Sequence, residues 1–198
     1  MKKFFIYICF SIFILLPLSS AEDISEYEIE GISVGDSLLK YMSRAEIENN
    51  LSYVYEDLDK YIGKDVAQIS YNKNLKIYDE IHLDFKTTDD MFEIIALNGI
   101  LFYEDNVNQC YQKQVQLVEE LKLVFKGVDV RKEGPLNHPA YPNGEIKYTR
   151  YAFFINENDY SNLEVFCYDI VEELKKTDRL TLNLKSKEFN DYAGKIYK

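Results

Sequence analysis

The spacing of apolar residues changes along the chain and predicts where strands and helices lie. Apolar residues alternate with polar ones over residues 81–85 and again over 180–184, which is the pattern of half-buried strands. Shorter apolar runs predict further strands over 66–71, 146–155 and 163–170. These segments together indicate a protein that is rich in strands.

Helices are predicted where the apolar period lengthens. Asp105 or Asn106 is expected to cap a long helix that ends near Gly127. Its apolar stripe comprises Val107, Cys110, Leu117, Leu121, Val124 and Phe125. A shorter helical stretch over 36–50 is expected to break near Ser43, which has a capping box with Glu46. A last short helix is predicted after Ser186.

Two local signals predict turns. Asn98 and Gly99 separate two apolar runs, which is the strongest short signal for a β-hairpin. Residues 134–144 contain three of the four prolines of the chain, with a glycine at each end, and predict an irregular loop. The polar run 156–162 predicts a further turn.

The order of elements predicts an α+β fold. We expect an antiparallel sheet of about six strands, with one long helix and shorter helices packed on one face. The order is also compatible with two α-βββ units. Residues 36–198 are expected to form a single domain, preceded by a flexible acidic lead-in over 22–35.

The first residues have the pattern of a secretory signal peptide. Lys2 and Lys3 precede an apolar run over 4–16, and small residues follow up to Ala21. That run is shorter than the roughly 20 residues that span a bilayer. Cleavage after Ala21 is therefore favoured over a permanent membrane anchor, and we expect a periplasmic or secreted protein.

The acidic composition of the chain favours some classes of binding partner over others. The chain has 23 basic and 34 acidic residues and a net charge of -11. Nucleic acid is disfavoured as a partner because its recognition requires clustered basic residues. Basic proteins and other envelope components remain compatible with this charge.

The cysteines after residue 21 form a single candidate pair. Cys110 and Cys167 are the two that remain in the expected mature chain. An even pair in an exported protein favours a disulfide. Two buried free thiols are the alternative.

Four short motifs carry a resemblance to a known group of proteins. They are the run 29–39, the run 110–114, the run 137–140 and the run 188–191. In this order they resemble small exported proteins of AT-rich marine alphaproteobacteria, to which no activity is attached. The resemblance implies a secreted single domain and implies nothing about a mechanism.

No catalytic constellation can be assembled from the sequence. The chain has two histidines, His82 on the polar side of a predicted strand and His138 in the proline-rich loop. Neither has a nucleophile or carboxylate at a known motif spacing. We expect His82 to be solvated and His138 to cap the loop backbone. We predict no catalytic residue, no metal ligand and no cofactor, although calcium at the acidic turns 84–90 and 156–159 stays open.

The leading hypothesis is a non-enzymatic binding module for a protein or envelope component. The candidate binding residues are Asn137, His138 and Tyr141 in the loop, and Tyr151 on a sheet face. Tyr151 is expected to lie opposite the core if Tyr148 faces the core. The alternative is a small periplasmic enzyme or ligand-binding domain with a pocket near His138.

Overall fold

The computed structural model describes residues 24–51, 65–104, 106–156 and 159–196. The predicted signal peptide, residues 1–21, and any continuation of the first helical stretch beyond residue 51 lie outside the described residues. None of the helices in the described ranges is long and apolar enough to cross a membrane.

The described residues form three α-helices and nine strands. The helices are α1 (Arg44–Asn49), α2 (Val107–Val124) and α3 (Lys187–Ile196). The strands are β1 (Glu28–Ile29), β2 (Ile32–Ser33), β3 (Val66–Tyr71), β4 (Glu80–Lys86), β5 (Ile94–Tyr103), β6 (Asp129–Asn137), β7 (Ile146–Asn156), β8 (Asp159–Ile170) and β9 (Asp178–Lys185). β1 pairs with β2, and the others form one antiparallel sheet in the order β3-β4-β5-β9-β8-β7-β6. The predicted α+β class is confirmed, with seven strands in the large sheet instead of about six.

The large sheet has two different faces because successive side chains of a strand point in opposite directions. One face carries the main core, including Leu83, Leu97, Val165 and Leu182, and we call it the covered face because α2 packs on it. The other face, which we call the open face, carries the remaining alternate positions, such as Arg150.

A disulfide and one buried glutamine hold α2 to the covered face. Cys110 of α2 is bonded to Cys167 of β8, with their Cα atoms 5.9 Å apart, which confirms the predicted pairing. Four residues further along α2, the Gln114 amide donates to the carbonyl oxygens of Thr149 and Val165 at 3.0 and 2.9 Å. The helix is therefore attached to two neighbouring strands.

The predicted helix caps are present. Ser43 and Glu46 form a reciprocal capping box at the start of α1. The side chain of Asn106 accepts a hydrogen bond from the first turn of α2. The Ser186 hydroxyl accepts the N–H of Phe189 at 3.0 Å, at the start of α3.

α3 packs on the opposite side of the sheet from α2, so the prediction that all helices share one face is wrong. Phe189 of α3 packs with Val66, Ile95 and Ala96, which form a small cluster separate from the main core. The physical reason lies in β5, whose residues Ile94 to Leu97 are all buried. A strand that is apolar on both faces needs cover on both faces.

The expected flexible lead-in over 22–35 is instead folded where the structure describes it. Ile24, Ile29 and Ile32 are at most 3% exposed and belong to the main core. The chain turns between β1 and β2 at Glu30 and Gly31, which both have positive φ, as a tight hairpin requires. The apolar residues between the acidic ones therefore anchor this segment to the domain.

The predicted hairpin at Asn98 and Gly99 is wrong, because both residues lie inside the continuous strand β5. A Cβ at position 99 would lie 2.7 Å from the ring of Tyr78. The glycine thus makes room for a ring from a distant segment and does not form a turn. The Asn98 amide donates to the Asp84 carboxylate at 3.1 Å, across the β4–β5 pair.

The proline-rich stretch 134–144 is irregular only in part, which corrects the prediction of a loop throughout. β6 runs to Asn137 and pairs with β7 on both sides of a register shift between Glu133 and Leu136. Gly134 and Pro135 occupy that shift. A bulge of this kind accommodates a proline in an edge strand, since the proline lacks an N–H for the ladder.

Candidate functional site

Three of the four predicted binding residues lie together at the end of β6 and in the turn that follows it. The N–H of Tyr141 donates to the carbonyl oxygen of His138 at 2.7 Å, and the N–H of Ala140 donates to His138 Nδ1 at 3.2 Å. The amide of Asn137 donates to the carbonyl oxygen of Pro142 at 2.9 Å. His138 therefore caps the loop backbone as expected, and Asn137 closes the loop.

The fourth predicted binding residue, Tyr151, lies elsewhere. Tyr151 is on the covered face, between Thr149, whose hydroxyl donates to Gln114, and the fully buried Phe153. Tyr148 lies on the open face. The expected orientation of the two tyrosines is thus reversed, because α2 covers the Thr149 side of β7. Tyr151 is separated from the loop residues by the thickness of the sheet.

Five rings gather on the open face at the end of the sheet formed by β6, β7 and β8. We call this group the aromatic cluster; its members are His138, Tyr141, Tyr148, Phe166 and Tyr168. Phe166 and Tyr168 stack with their centroids 5.4 Å apart. Tyr148 lies 5.6 Å from Phe166, and His138 lies 6.3 Å from Tyr168. These separations are those of favourable aromatic pairs.

Three cations border the aromatic cluster. Arg150 lies 5.9 Å from the Phe166 centroid, Lys176 lies 5.5 Å from that of Tyr141, and Arg179 lies 5.2 Å from that of Tyr168. Each distance is within the range of a cation–π contact. The result is a surface of rings with positive charge at its margins, in a chain whose net charge is -11.

Arg150 belongs to a network of ion pairs. Its guanidinium contacts Glu133 at 3.1 Å and Glu164 at 2.7 Å. Glu164 is 3% exposed and also pairs with Lys185. A buried carboxylate held by two cations fixes the side chain of Arg150 in place. The charge of Arg150 is therefore neutralised by carboxylates of the protein itself.

Burial shifts the pKa values of two members of the aromatic cluster, His138 and Tyr168. It lowers the pKa of His138, and the charges of Arg179 and Lys176 lower that pKa further. Burial also raises the pKa of Tyr168 above its usual value. His138 is therefore neutral near pH 7, in agreement with the hydrogen bond that its Nδ1 accepts.

A second polar group lies further along the open face, toward α3. Asp84 is 2% exposed, and its carboxylate accepts hydrogen bonds from Gln68 at 3.0 Å and from Asn98 at 3.1 Å. Burial raises the pKa of Asp84 to about 6, although these hydrogen bonds and the charge of Lys185 oppose the rise. In sequence this residue belongs to the polar side of a half-buried strand, and it is buried in the structure.

Clefts, possible metal-ligand groups and comparisons with known proteins give no indication of a reaction or a ligand. Two clefts lie beside Tyr71, one lined by Met42 and the other by Leu75, and neither includes His138. The described residues hold no group of three His, Cys, Asp or Glu side chains that could bind a metal ion. No protein-family model, curated protein or solved structure matches the chain.

Sequence reasoning identified His138 and Tyr141 and missed the rest of the aromatic cluster. Tyr148 alternates with Arg150 along β7, and Phe166 alternates with Tyr168 along β8. That alternation of large rings and cations on neighbouring strands is the signal that could have found them. Arg179 completes the same row on β9, directly opposite Tyr168.

Proposed function

We propose that the protein is an exported, non-enzymatic binding module that contacts a protein or envelope component through its open face. The observation that carries the proposal is the aromatic cluster, in which five rings and three cations lie together on a part of the sheet that α2 does not cover. Tyrosine suits recognition because its ring is rigid and apolar and its hydroxyl is polar.

The arrangement around His138 supports binding more than catalysis. Its Nδ1 accepts a backbone hydrogen bond, and its ring packs 5.8 Å from Tyr141 and 6.4 Å from Tyr148. Because Nδ1 accepts this hydrogen bond, the neutral ring carries its proton on Nε2 and leaves no free nitrogen lone pair to act as a general base. Here the imidazole serves as one more ring of a recognition surface.

Two observations support export. The first is the pattern of residues 1–21, which is that of a cleaved secretory signal. The second is the disulfide between Cys110 and Cys167, since such bonds persist in oxidising compartments. The proposed location is the periplasm or the medium outside the cell.

Affinity capture from a native envelope extract tests the proposed face. The tagged protein and two variants serve as baits, and quantitative mass spectrometry measures what each retains. Tyr148→Ala removes the central ring of the aromatic cluster. Leu123→Ala is the matched control, because Leu123 is 72% exposed on α2, on the other side of the sheet.

We expect a stoichiometric partner that Leu123→Ala retains and that Tyr148→Ala reduces by at least tenfold. Circular dichroism verifies that both variants are folded. A partner retained equally by all three baits would refute the open face as the site. A partner lost only from Leu123→Ala would move the site to the α2 side.

A further inference from the structure

Arg179 occupies a distinctive position on the open face. It lies on β9, the central strand of the large sheet, with Phe102 of β5 opposite it on one side and Tyr168 of β8 on the other. Its guanidinium is 5.2 Å from the Tyr168 centroid, and Phe102 is 41% exposed. Arg179 is therefore flanked by an aromatic residue on each neighbouring strand.

Of the three cations that border the aromatic cluster, Arg179 is the one that makes neither an ion pair nor a hydrogen bond within the described residues. Arg150 contacts two glutamates, and the Lys176 ammonium donates to the Tyr141 hydroxyl at 3.2 Å. Among the described residues, the Arg179 guanidinium has no carboxylate partner, and its Nε is buried with no hydrogen-bond acceptor. A buried donor without an acceptor is costly. The Arg179 side chain as a whole is only half-buried, so a ligand on the open face can supply acceptors that the fold does not.

The groups around Arg179 favour an anion. Burial lowers the pKa values of His82 and His138, and the charge of Arg179 lowers both further, so the guanidinium lies within electrostatic reach of both imidazoles. Glu80 contacts His82 at 3.3 Å and opposes the lowering of the His82 pKa. Glu164 is already held by Arg150 and Lys185.

The geometry points to Arg179 as the anchor for a carboxylate that a protein partner presents next to an apolar side chain. A guanidinium binds a carboxylate through two parallel hydrogen bonds, and these are strong where rings exclude water. The rings beside Arg179 would hold the neighbouring apolar side chain. This inference rests on the proposed function and names the chemistry that the partner must carry.

Two capped peptides test the carboxylate directly. Acetyl-Phe-Glu-Phe-Glu-amide and acetyl-Phe-Gln-Phe-Gln-amide have the same rings and differ in charge. Each is titrated into isotope-labelled protein, and nuclear magnetic resonance follows the Nε–Hε signal of Arg179 and the dissociation constant. We expect the glutamate peptide to bind roughly tenfold more tightly, as suits a charge-assisted hydrogen bond, and to shift that signal.

Three variants make the test specific. Arg179→Met keeps the apolar stem and is expected to abolish the preference for glutamate, and Arg179→Lys is expected to keep part of it. Arg131→Met is the matched control, because Arg131 also lies over a ring, that of Phe154 at 4.3 Å, but is already paired with Asp129 at 2.7 Å. Arg179→Met should melt close to the parent, since no ion pair is lost.

Equal binding of the two peptides, or a glutamate preference that survives Arg179→Met, would overturn the inference. Phenylacetate binding as tightly as the glutamate peptide would overturn the choice of a protein partner in favour of a small carboxylate. The capture experiment separates this inference from the proposed function. If Tyr148→Ala loses the captured partner and Arg179→Met keeps it, the carboxylate anchor is wrong and the binding face stands; if both keep it, both fail.

Discussion

Replacement of Asp84 by asparagine is expected to stabilise the protein at neutral pH. The Asp84 carboxylate is 2% exposed and accepts two hydrogen bonds, from Gln68 and Asn98, both of which come from neutral amides. Burial raises its pKa from 3.8 to about 6 in spite of them. The folded state therefore binds the Asp84 proton more tightly than the unfolded state does.

The sign and size of the effect follow from that difference. Each tenfold change in proton affinity is worth about 1.4 kcal/mol, so a rise from 3.8 to about 6 corresponds to about 3 kcal/mol. This contribution is fully present below about pH 4 and is lost as the pH rises through about 6. Asparagine cannot ionise, and the amides of Gln68 and Asn98 can each rotate to donate or accept. At pH 7 we expect Asp84→Asn to raise the free energy of unfolding by about 1 to 3 kcal/mol.

Urea unfolding, followed by circular dichroism between pH 4 and pH 8, measures the effect. The free energy of unfolding of the parent is subtracted from that of Asp84→Asn at each pH. This subtraction cancels the titration of other carboxylates, including Asp36 and Glu46, whose pKa values are lowered by their partners. Asp90→Asn is the control for an exposed carboxylate and should leave the free energy of unfolding nearly unchanged. The reasoning is refuted if Asp84→Asn destabilises the protein at pH 7, or if its advantage does not shrink toward pH 4.

Three further variants test the packing of the domain by urea unfolding. The double variant Cys110→Ala/Cys167→Ala opens a loop of sequence separation 57 and is expected to cost about 4 kcal/mol, and an unchanged midpoint would contradict it. Gln114→Ala leaves two buried carbonyl oxygens of the sheet without their donor, and a loss of about 2 to 4 kcal/mol is expected. Gly99→Ala forces the Tyr78 ring to move and should cost about 1 to 3 kcal/mol, whereas in a Tyr78→Ala background the same change should cost much less.

Local elements could be predicted from the sequence because neighbouring residues determine them. The capping box of Ser43 and Glu46, the cap at Asn106 and the alternation in β4 and β9 each depend on a few adjacent positions. The pairing of Cys110 with Cys167 followed from the number of cysteines left after the predicted signal. These predictions required no knowledge of the tertiary structure.

The predictions failed where contacts with distant segments of the chain determine the conformation or the position of a residue. Asn98 and Gly99 have the residue types of a β-turn, but Gly99 lies inside β5, where the absence of a side chain leaves room for the ring of Tyr78. Alternation showed that Tyr148 and Tyr151 lie on opposite faces, and it could not show which face α2 covers. The aromatic cluster and Arg179 come together only when β6, β7, β8 and β9 are neighbours in the sheet. Arg179 is therefore unremarkable in the sequence and prominent in the fold.

Site-specific photo-cross-linking tests the binding face most directly. A photoreactive phenylalanine analogue replaces Leu136, which is 46% exposed on the open face opposite Tyr148, or Leu123, which is 72% exposed on α2. Irradiation in the native envelope is followed by mass spectrometry of the adducts. The account predicts one discrete adduct from position 136 and none from position 123. An adduct from position 123 alone, or none from position 136, would contradict it.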